Sequence, residues 1–598
     1  MAAGRWPSKL DSFFHSLQAM DRQIGAPRFL NFPTHNFPTS KPSGLRPLAK
    51  RVLSQAAAMD TLENLQKIDR TQNIESLSVR LYFWTRSPRV LCAVAGIILA
   101  IGLGVAFALK SPDGWMTDAG SGALHAELQK DAPDMEKVIA LMSRRGKHFI
   151  ARADGADWIA ASKLSTSDRA VAASFWESLT HWPLEPGADL LYFAHYVHPM
   201  RHANELVGDL HYTGKKRDEA LFYYEREARN ADAAGARQKL FELLLEKRDF
   251  AAAHRIASDP AIGPRLTPSN RVMLAAGEHR WLDIFQPLIG MERDYLKPMP
   301  ATLAALAGLL WFIIALQAIQ PPGLFSFRTL VPILAVAAGV ASIAPTLLAV
   351  LYEEEMWKLK ATGDFFDDLI FYVGGVGPRE ELCKLLCFLP FVPVLLMRGS
   401  RLEMLMIAGC VGLGFAIEEN MQYFAQAGPA IAFGRFLTAN FFHLAATGII
   451  GLAFCEWMLS PLKKFLPFIG KTLAVMLAHG CYDAFMAVEE LAALALVSTM
   501  SFMLLALFFF RTLRTLRTTA TDQISIAGTL IIGISLLNAA VLVCASMKLG
   551  FAPALAALAF TAFSLIMITY MFYWQLGDGL SHAVAEEESG AARYVAAI

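Results

Sequence analysis

The chain of 598 residues is 55% apolar and only 18% charged, with 54 Lys and Arg against 53 Asp and Glu. A mean hydropathy of +0.38 excludes a disordered chain and points to a polytopic membrane protein. The net charge of +1 gives no electrostatic ground for a nucleic-acid partner. The seven cysteines, Cys92, Cys383, Cys387, Cys410, Cys455, Cys481 and Cys544, all fall in apolar runs, which argues against a disulfide framework or a zinc-finger module.

Residues 1–88 contain no spanning run and are rich in Pro, Asn, Ser and basic side chains; we expect a partly disordered cytoplasmic region. No early apolar core with a small-residue cleavage site stands there, so no secretory signal is expected, and Met59 is an alternative start. The first spanning helix is expected within 89–110, where "VLCAVAGIILAIGLGVAFAL" supplies the ~20 apolar residues a bilayer demands. Residues 111–299 read as a helical domain. "ANELVGDLHYTGKKRDEALFYYEREARN" resembles a tetratricopeptide repeat in the placing of Gly208, Ala220 and Tyr224, and "ARQKLFELLLEKRDFAAAHRIASDP" follows at about the ~34-residue period. A generic helical hairpin domain is the plainer alternative.

Further apolar runs lie at about 301–319, 329–351, 379–397, 403–425, 430–458, 466–487, 490–511, 524–546 and 552–575, giving roughly ten spans in all. The expected architecture is an all-α membrane bundle with an inserted helical domain, two additional spans within 513–580, and a tail at 581–598. Arg86, Arg89, Arg398, Arg401, Lys463, Lys464, Lys471, Arg511, Arg514 and Arg517 all fall on one side of such a bundle, which the positive-inside rule makes the cytoplasm. Both termini are then cytoplasmic, residues 111–299 extracytoplasmic, and the location the cell (inner) membrane.

Four consecutive spans carry groups that apolar helices ordinarily exclude, since a charge at a helix centre costs roughly 2.5–3.5 kcal/mol on insertion scales. "GPREELCKLL" brings Glu380, Glu381 and Lys384; Glu380 and Lys384 are i,i+4 neighbours, which leaves the second carboxylate in need of another partner. "GLGFAIEENMQYF" brings Glu418, Glu419 and Asn420, preceded by Gly409, Gly412 and Gly414, which permit close helix approach. "RFLTANFFHLAATGIIG" brings Asn440, His443 and Thr447, and "LAHGCYDAF" brings His479 and Asp483 on one helical face. Singly, each has an ordinary explanation: an interhelical hydrogen bond, an interfacial ion pair, or an aspartate that merely orients a histidine. Together they imply one site, and carboxylates with imidazoles in a dry site suit a divalent metal, zinc above all.

These stretches resemble one family. "PREELCK" is similar to the EExxK motif of the PrsW-type intramembrane proteases, "GFAIEENMQY" to their second motif, "HLAATGIIG" to the third and "HGCYDAF" to the fourth; that family is related to the CAAX-protease and bacteriocin-processing superfamily. The resemblance covers roughly residues 300–512. It implies a metallo- or glutamic-type endopeptidase that cleaves membrane-anchored proteins, such as anti-sigma factors, at the lipid bilayer. Its motifs carry over to Glu380, Glu381 and Lys384, to Glu419 and Asn420, to His443, and to His479 and Asp483; the glutamate directly before Asn is Glu419, not Glu418. No HExxH motif is present. On this reading Glu419, His443 and His479 hold Zn²⁺, Glu380 or Glu381 is the general base, Lys384 keeps the other glutamate ionised, Asn420 donates to the oxyanion and Asp483 orients His479. A metal-free mechanism, in which Glu and His activate water directly, stays open. The alternatives to a protease are an ion-coupled transporter, which predicts a second polar cluster in an inverted repeat, and an inactive membrane scaffold or receptor, which predicts a missing motif member.

Overall fold

A computed structural model describes residues 84–109, 124–143, 154–180, 185–196, 198–230, 232–319, 327–516 and 525–576. The expected C-terminal tail, and all but the last few residues of the expected N-terminal region, lie outside them. The described residues form helices and no strand.

Outside the inserted domain, ten helical stretches among the described residues build the bundle: α1 (Pro88–Ala108), α2 (Pro298–Ile319), α3 (Thr329–Trp357), α4 (365–398), α5 (Arg401–Ala427), α6 (Pro429–Leu459), α7 (Pro461–Ala487), α8 (Leu496–Leu516), α9 (Ile526–Leu549) and α10 (Phe551–Ser564 with Ile566–Leu576, bent by 55°). Seven are long and apolar enough to cross a membrane by themselves, eight if the bent pair is one span. The two others are α4 and α5, which carry Arg379, Glu380, Glu381, Lys384, Glu418 and Glu419. These two helices carry the first two polar clusters.

α6 lies at the centre, with 94% of its apolar window buried, against 17% for peripheral α1. α5 packs against α2, α3 and α6. Its contact with α3 is a glycine crossing: a Cβ on Gly414 would stand 2.0 Å from the Val336 carbonyl oxygen, and one on Gly339 1.9 Å from that of Val411. Such approach replaces the hydrophobic drive that is missing between helices in lipid. The turn from α4 to α5 is made by Gly399 at φ 69°, and by Ser400, whose hydroxyl accepts the Glu403 N–H at 3.3 Å as an N-cap. Of the two last helices, α9 packs on α1 and α2, and α10 returns Phe572 into a ring cluster with Trp311, Phe441, Phe502 and Phe510.

Between α1 and α2 the chain builds helical hairpins, among them Ala203–Thr213 with Arg217–Glu227, Ala234–Glu246 with Phe250–Ala257, and Pro268–Gly277 with Phe285–Tyr295. Gly208 lies directly under the ring of Tyr224, and Ala220 is fully buried. Lys239 joins the hairpins by pairing with Glu205 at 2.6 Å and Asp209 at 2.7 Å. Burial opposes the charge on Glu205, but the Lys239 ammonium and the His202 ring outweigh it and hold the carboxyl down at about 2. The last hairpin is seated on the membrane bundle. Val272, Ala275, Ile284, Leu288 and Met291 form one apolar cluster with Leu351 of α3, and Arg248 pairs with Glu355 at the end of that helix.

Candidate active site

Two helix distortions set up the site. The stretch Ile370–Val376 winds as a π-helix immediately before the helical segment Gly377–Phe388 that carries Glu380 and Glu381. A second π-turn, Phe436–Asn440, immediately precedes the Phe441–Leu459 segment with His443. π-Turns re-aim the following side chains and release a carbonyl from the helix ladder. Trp311 of α2 takes up one of these, donating its indole N–H to the Phe436 carbonyl at 2.7 Å.

α4 then meets α7 where neither has a side chain. A Cβ on Gly480 would lie 2.5 Å from the Val373 Cα and 2.7 Å from the Tyr372 carbonyl oxygen; one on Gly377 would lie 2.3 Å from the Met476 carbonyl oxygen. This crossing sets His479 beside the two glutamates. On the other side, a Cβ on Gly412 of α5 would strike the His443 carbonyl at 2.0 Å, so the close approach expected from the glycines of that motif brings α5 to α6 at the histidine itself.

Lys384 stands at the centre, fully buried. Its ammonium bonds Glu381 Oε1 at 2.8 Å and His443 Nδ1 at 2.8 Å, lies 3.5 Å from Glu380 Oε2, and sits 4.1 Å from the centre of the Phe415 ring. Glu381, equally buried, accepts from His479 Nδ1 at 2.9 Å and from the Thr447 hydroxyl at 3.3 Å. The expected Glu380–Lys384 pair is present at 3.5 Å, but Lys384 lies closer to Glu381, and Glu380 stands at the rim with 13% exposure. Adjacent helical residues are turned about 100° from one another, so the two carboxylates meet His479 from different sides, one buried and one at the rim. The asparagine and aspartate also differ from expectation. Asn420 donates to Asn440 Oδ1 at 2.8 Å and accepts from Arg435, so both ends of its amide are engaged. Asp483 Oδ2 lies 3.4 Å from Nε2 of His479, and the nitrogen that orients the ring, Nδ1, belongs to Glu381.

The two imidazoles are thus fixed from behind, with ring centres 5.2 Å apart. An ammonium has no acceptor, so His443 Nδ1 must accept from Lys384, and its proton sits on Nε2, 3.1 Å from Glu419 Oε2. A carboxylate has no donor, so His479 Nδ1 carries a proton, and its Nε2 stands before two further carboxylates, 3.4 Å from Asp483 Oδ2 and 3.5 Å from Glu380 Oε2. The donor atoms of Glu380, His443 and His479 lie within 4.8 Å of one another. That trio, rather than the expected Glu419, His443 and His479, could hold a metal ion. Glu419 is instead taken up by His443 and by Arg435, whose guanidinium donates to it at 2.7 Å. Arg435 is the site residue that sequence reasoning did not single out. Glu418, set aside on the motif, bonds Gln422 at 2.8 Å.

Comparison with known proteins agrees with the geometry. Residues 328–511 match the family described as PrsW family intramembrane metalloprotease. That stretch, under a third of the chain, is similar to a PrsW-type domain. The match spans α3 to α8 and takes in every residue of the site, while the inserted domain, α1, α2, α9 and α10 lie outside it. No curated protein and no solved structure matches the chain.

If the Gly377–Gly480 crossing places His479, Gly480→Val should abolish cleavage of a membrane substrate. Gly470→Val, on the same helix where a Cβ meets nothing within 4 Å, should leave it near wild type. Equal activity of the two variants would contradict this assignment.

Proposed function

We propose that the chain is an intramembrane endopeptidase acting on a membrane-anchored protein, with Glu380 as the group that activates water. One observation carries this reading: Glu380, His443 and His479, from three different helices, converge inside a domain of the PrsW type. Peptide hydrolysis needs a nucleophilic water and a donor for the developing oxyanion. Glu380 is the carboxylate at the wet rim within reach of His479 Nε2, so the two can share and hold a water. The donor on the opposite wall is His443 Nε2–H, which must turn from Glu419 to serve the oxyanion. Glu381 and Lys384 are too deep for water and act by fixing both rings.

The donors suit zinc, the ion proposed here, and four carboxylates (Glu380, Glu381, Glu419 and Asp483) against two cations (Lys384 and Arg435) leave a formal excess of two negative charges. A bound Zn²⁺ would acidify its water to a pKa of ~7 and polarise the scissile carbonyl. Nδ1 of His479 is held by Glu381, so Nε2 is the nitrogen it would offer a metal once unprotonated, whereas His443 can offer one only when Lys384 releases Nδ1. That hydrogen bond favours the second reading, a metal-free site in which Glu380 and the imidazoles act on water directly.

The inserted domain is proposed as an extracytoplasmic, TPR-like docking module. Helical hairpins in series present peptide-binding surfaces. Its seat on α3 supports this, because Glu353 of the same α3 end pairs with Arg379, next to Glu380. A captured protein tail would be held beside the catalytic helix.

Glu380→Gln should lower cleavage by about 10²–10⁴-fold with no change in the thermal unfolding midpoint. Glu381→Gln should lose activity and also stability, by about 3–5 kcal/mol, because it leaves Lys384 as an uncompensated buried charge. Active Glu380→Gln protein would refute the assignment; strict chelation of purified protein decides between the two mechanisms, with retained cleavage selecting the metal-free one. Arg248→Glu should impair cleavage of a full-length substrate more than that of a short transmembrane peptide, and adding Glu355→Arg should restore it. Equal loss on both substrates would argue against docking.

A further inference from the structure

Arg435 closes the N-terminal turn that leads into the second π-turn, and three contacts define it, with a fourth bond behind them. Its Nη2 donates to Glu419 Oε2 at 2.7 Å, its Nε donates to Asn420 Oδ1, its guanidinium lies 3.6 Å from the centre of the Tyr423 ring, and Asn420 passes the chain on to Asn440 at 2.8 Å. Tyr423 is one turn beyond Glu419 on α5, so the ring and the carboxylate grip one guanidinium from the same helix. A planar fork with fixed donors is what such a three-sided seat needs; the compact ammonium of a lysine could not fill it. The carboxylate it takes is the one nearest His443 Nε2, at 3.1 Å.

We propose that Arg435 is a positioning residue which withholds Glu419 from any metal bound at Glu380, His443 and His479, and so keeps Glu419 as a hydrogen-bond acceptor for His443. The inference rests on the proposed site but not on its proteolytic use. Without the guanidinium, Glu419 loses its counter-charge and gains freedom beside the ligand trio. The local excess rises from two negative charges to three, and a fourth protein ligand comes within reach of an ion. The site would then bind a divalent cation more tightly and lose the open position that catalysis needs.

The test is a Co²⁺ titration of full-length protein in detergent, read by absorption and equilibrium dialysis, for wild type, Arg435→Gln, Arg435→Lys and Arg435→Gln with Glu419→Gln. Arg435→Gln should bind Co²⁺ about tenfold or more tightly, and the double variant should return towards the wild-type affinity. Arg435→Lys keeps the charge and should fall between. Single-site affinity that is unchanged or weaker in Arg435→Gln and Arg435→Lys, tightening that survives the second substitution, or no Co²⁺ uptake by any of the four would overturn the proposal. The readout contains no cleavage step, so an inactive wild-type protein would count against the protease reading and leave this measurement standing.

Discussion

A lysine ammonium with no exposure to water, in the middle of a membrane bundle, is the constraint on which the rest of the site depends. An isolated charge in such surroundings is too costly to persist. Lys384 is tolerated because Glu381, His443 and the face of Phe415 surround it. Each partner is also a constraint on something else. Glu381, held by Lys384, can in turn hold His479 and Thr447; His443, held at Nδ1, has only Nε2 to offer. A single buried pair therefore decides how rings on two other helices face, and the π-turns and glycine crossings bring those helices near enough for the pair to reach.

The site is graded from dry to wet. Glu381, Lys384, His443 and His479 are buried, while the side chains of Glu380, Arg435, Glu419 and Asp483 keep between 13% and 29% exposure. The buried layer sets direction and the rim supplies groups that can exchange with water. This division accounts for two adjacent glutamates in one motif. One turns inward to orient imidazoles, and its neighbour, rotated by about 100°, stays at the surface where water enters. It also accounts for Phe415, whose ring lies against both Lys384 and His443.

Much of this was legible in the sequence. Charges and imidazoles in apolar helices are conspicuous, and the four clusters that stood out are the ones that meet. α4 and α5 are readable as apolar runs in spite of the charges they carry, and those charges are what mark them. What could not be read was which glutamate faces inward, since that depends on a π-turn with no local sequence signal. Asn420 looked available until Arg435 and Asn440 were seen to engage both ends of its amide. Arg435 itself escaped notice because a basic residue before a span is ordinary, and its partners sit on another helix. The seat of the inserted domain, Arg248 on Glu355, joins residues 107 apart in sequence, and no periodicity announces such a pair.

The most direct test of this account is a high-resolution experimental structure of the full-length protein in a lipid bilayer, read at Lys384. The account predicts the ammonium within hydrogen-bond distance, about 2.7–3.2 Å, of both the Glu381 carboxylate and His443 Nδ1, with both Nε2 atoms turned towards Glu380. A Lys384 side chain directed to solvent or lipid, with the two imidazoles facing separate surroundings, would contradict it.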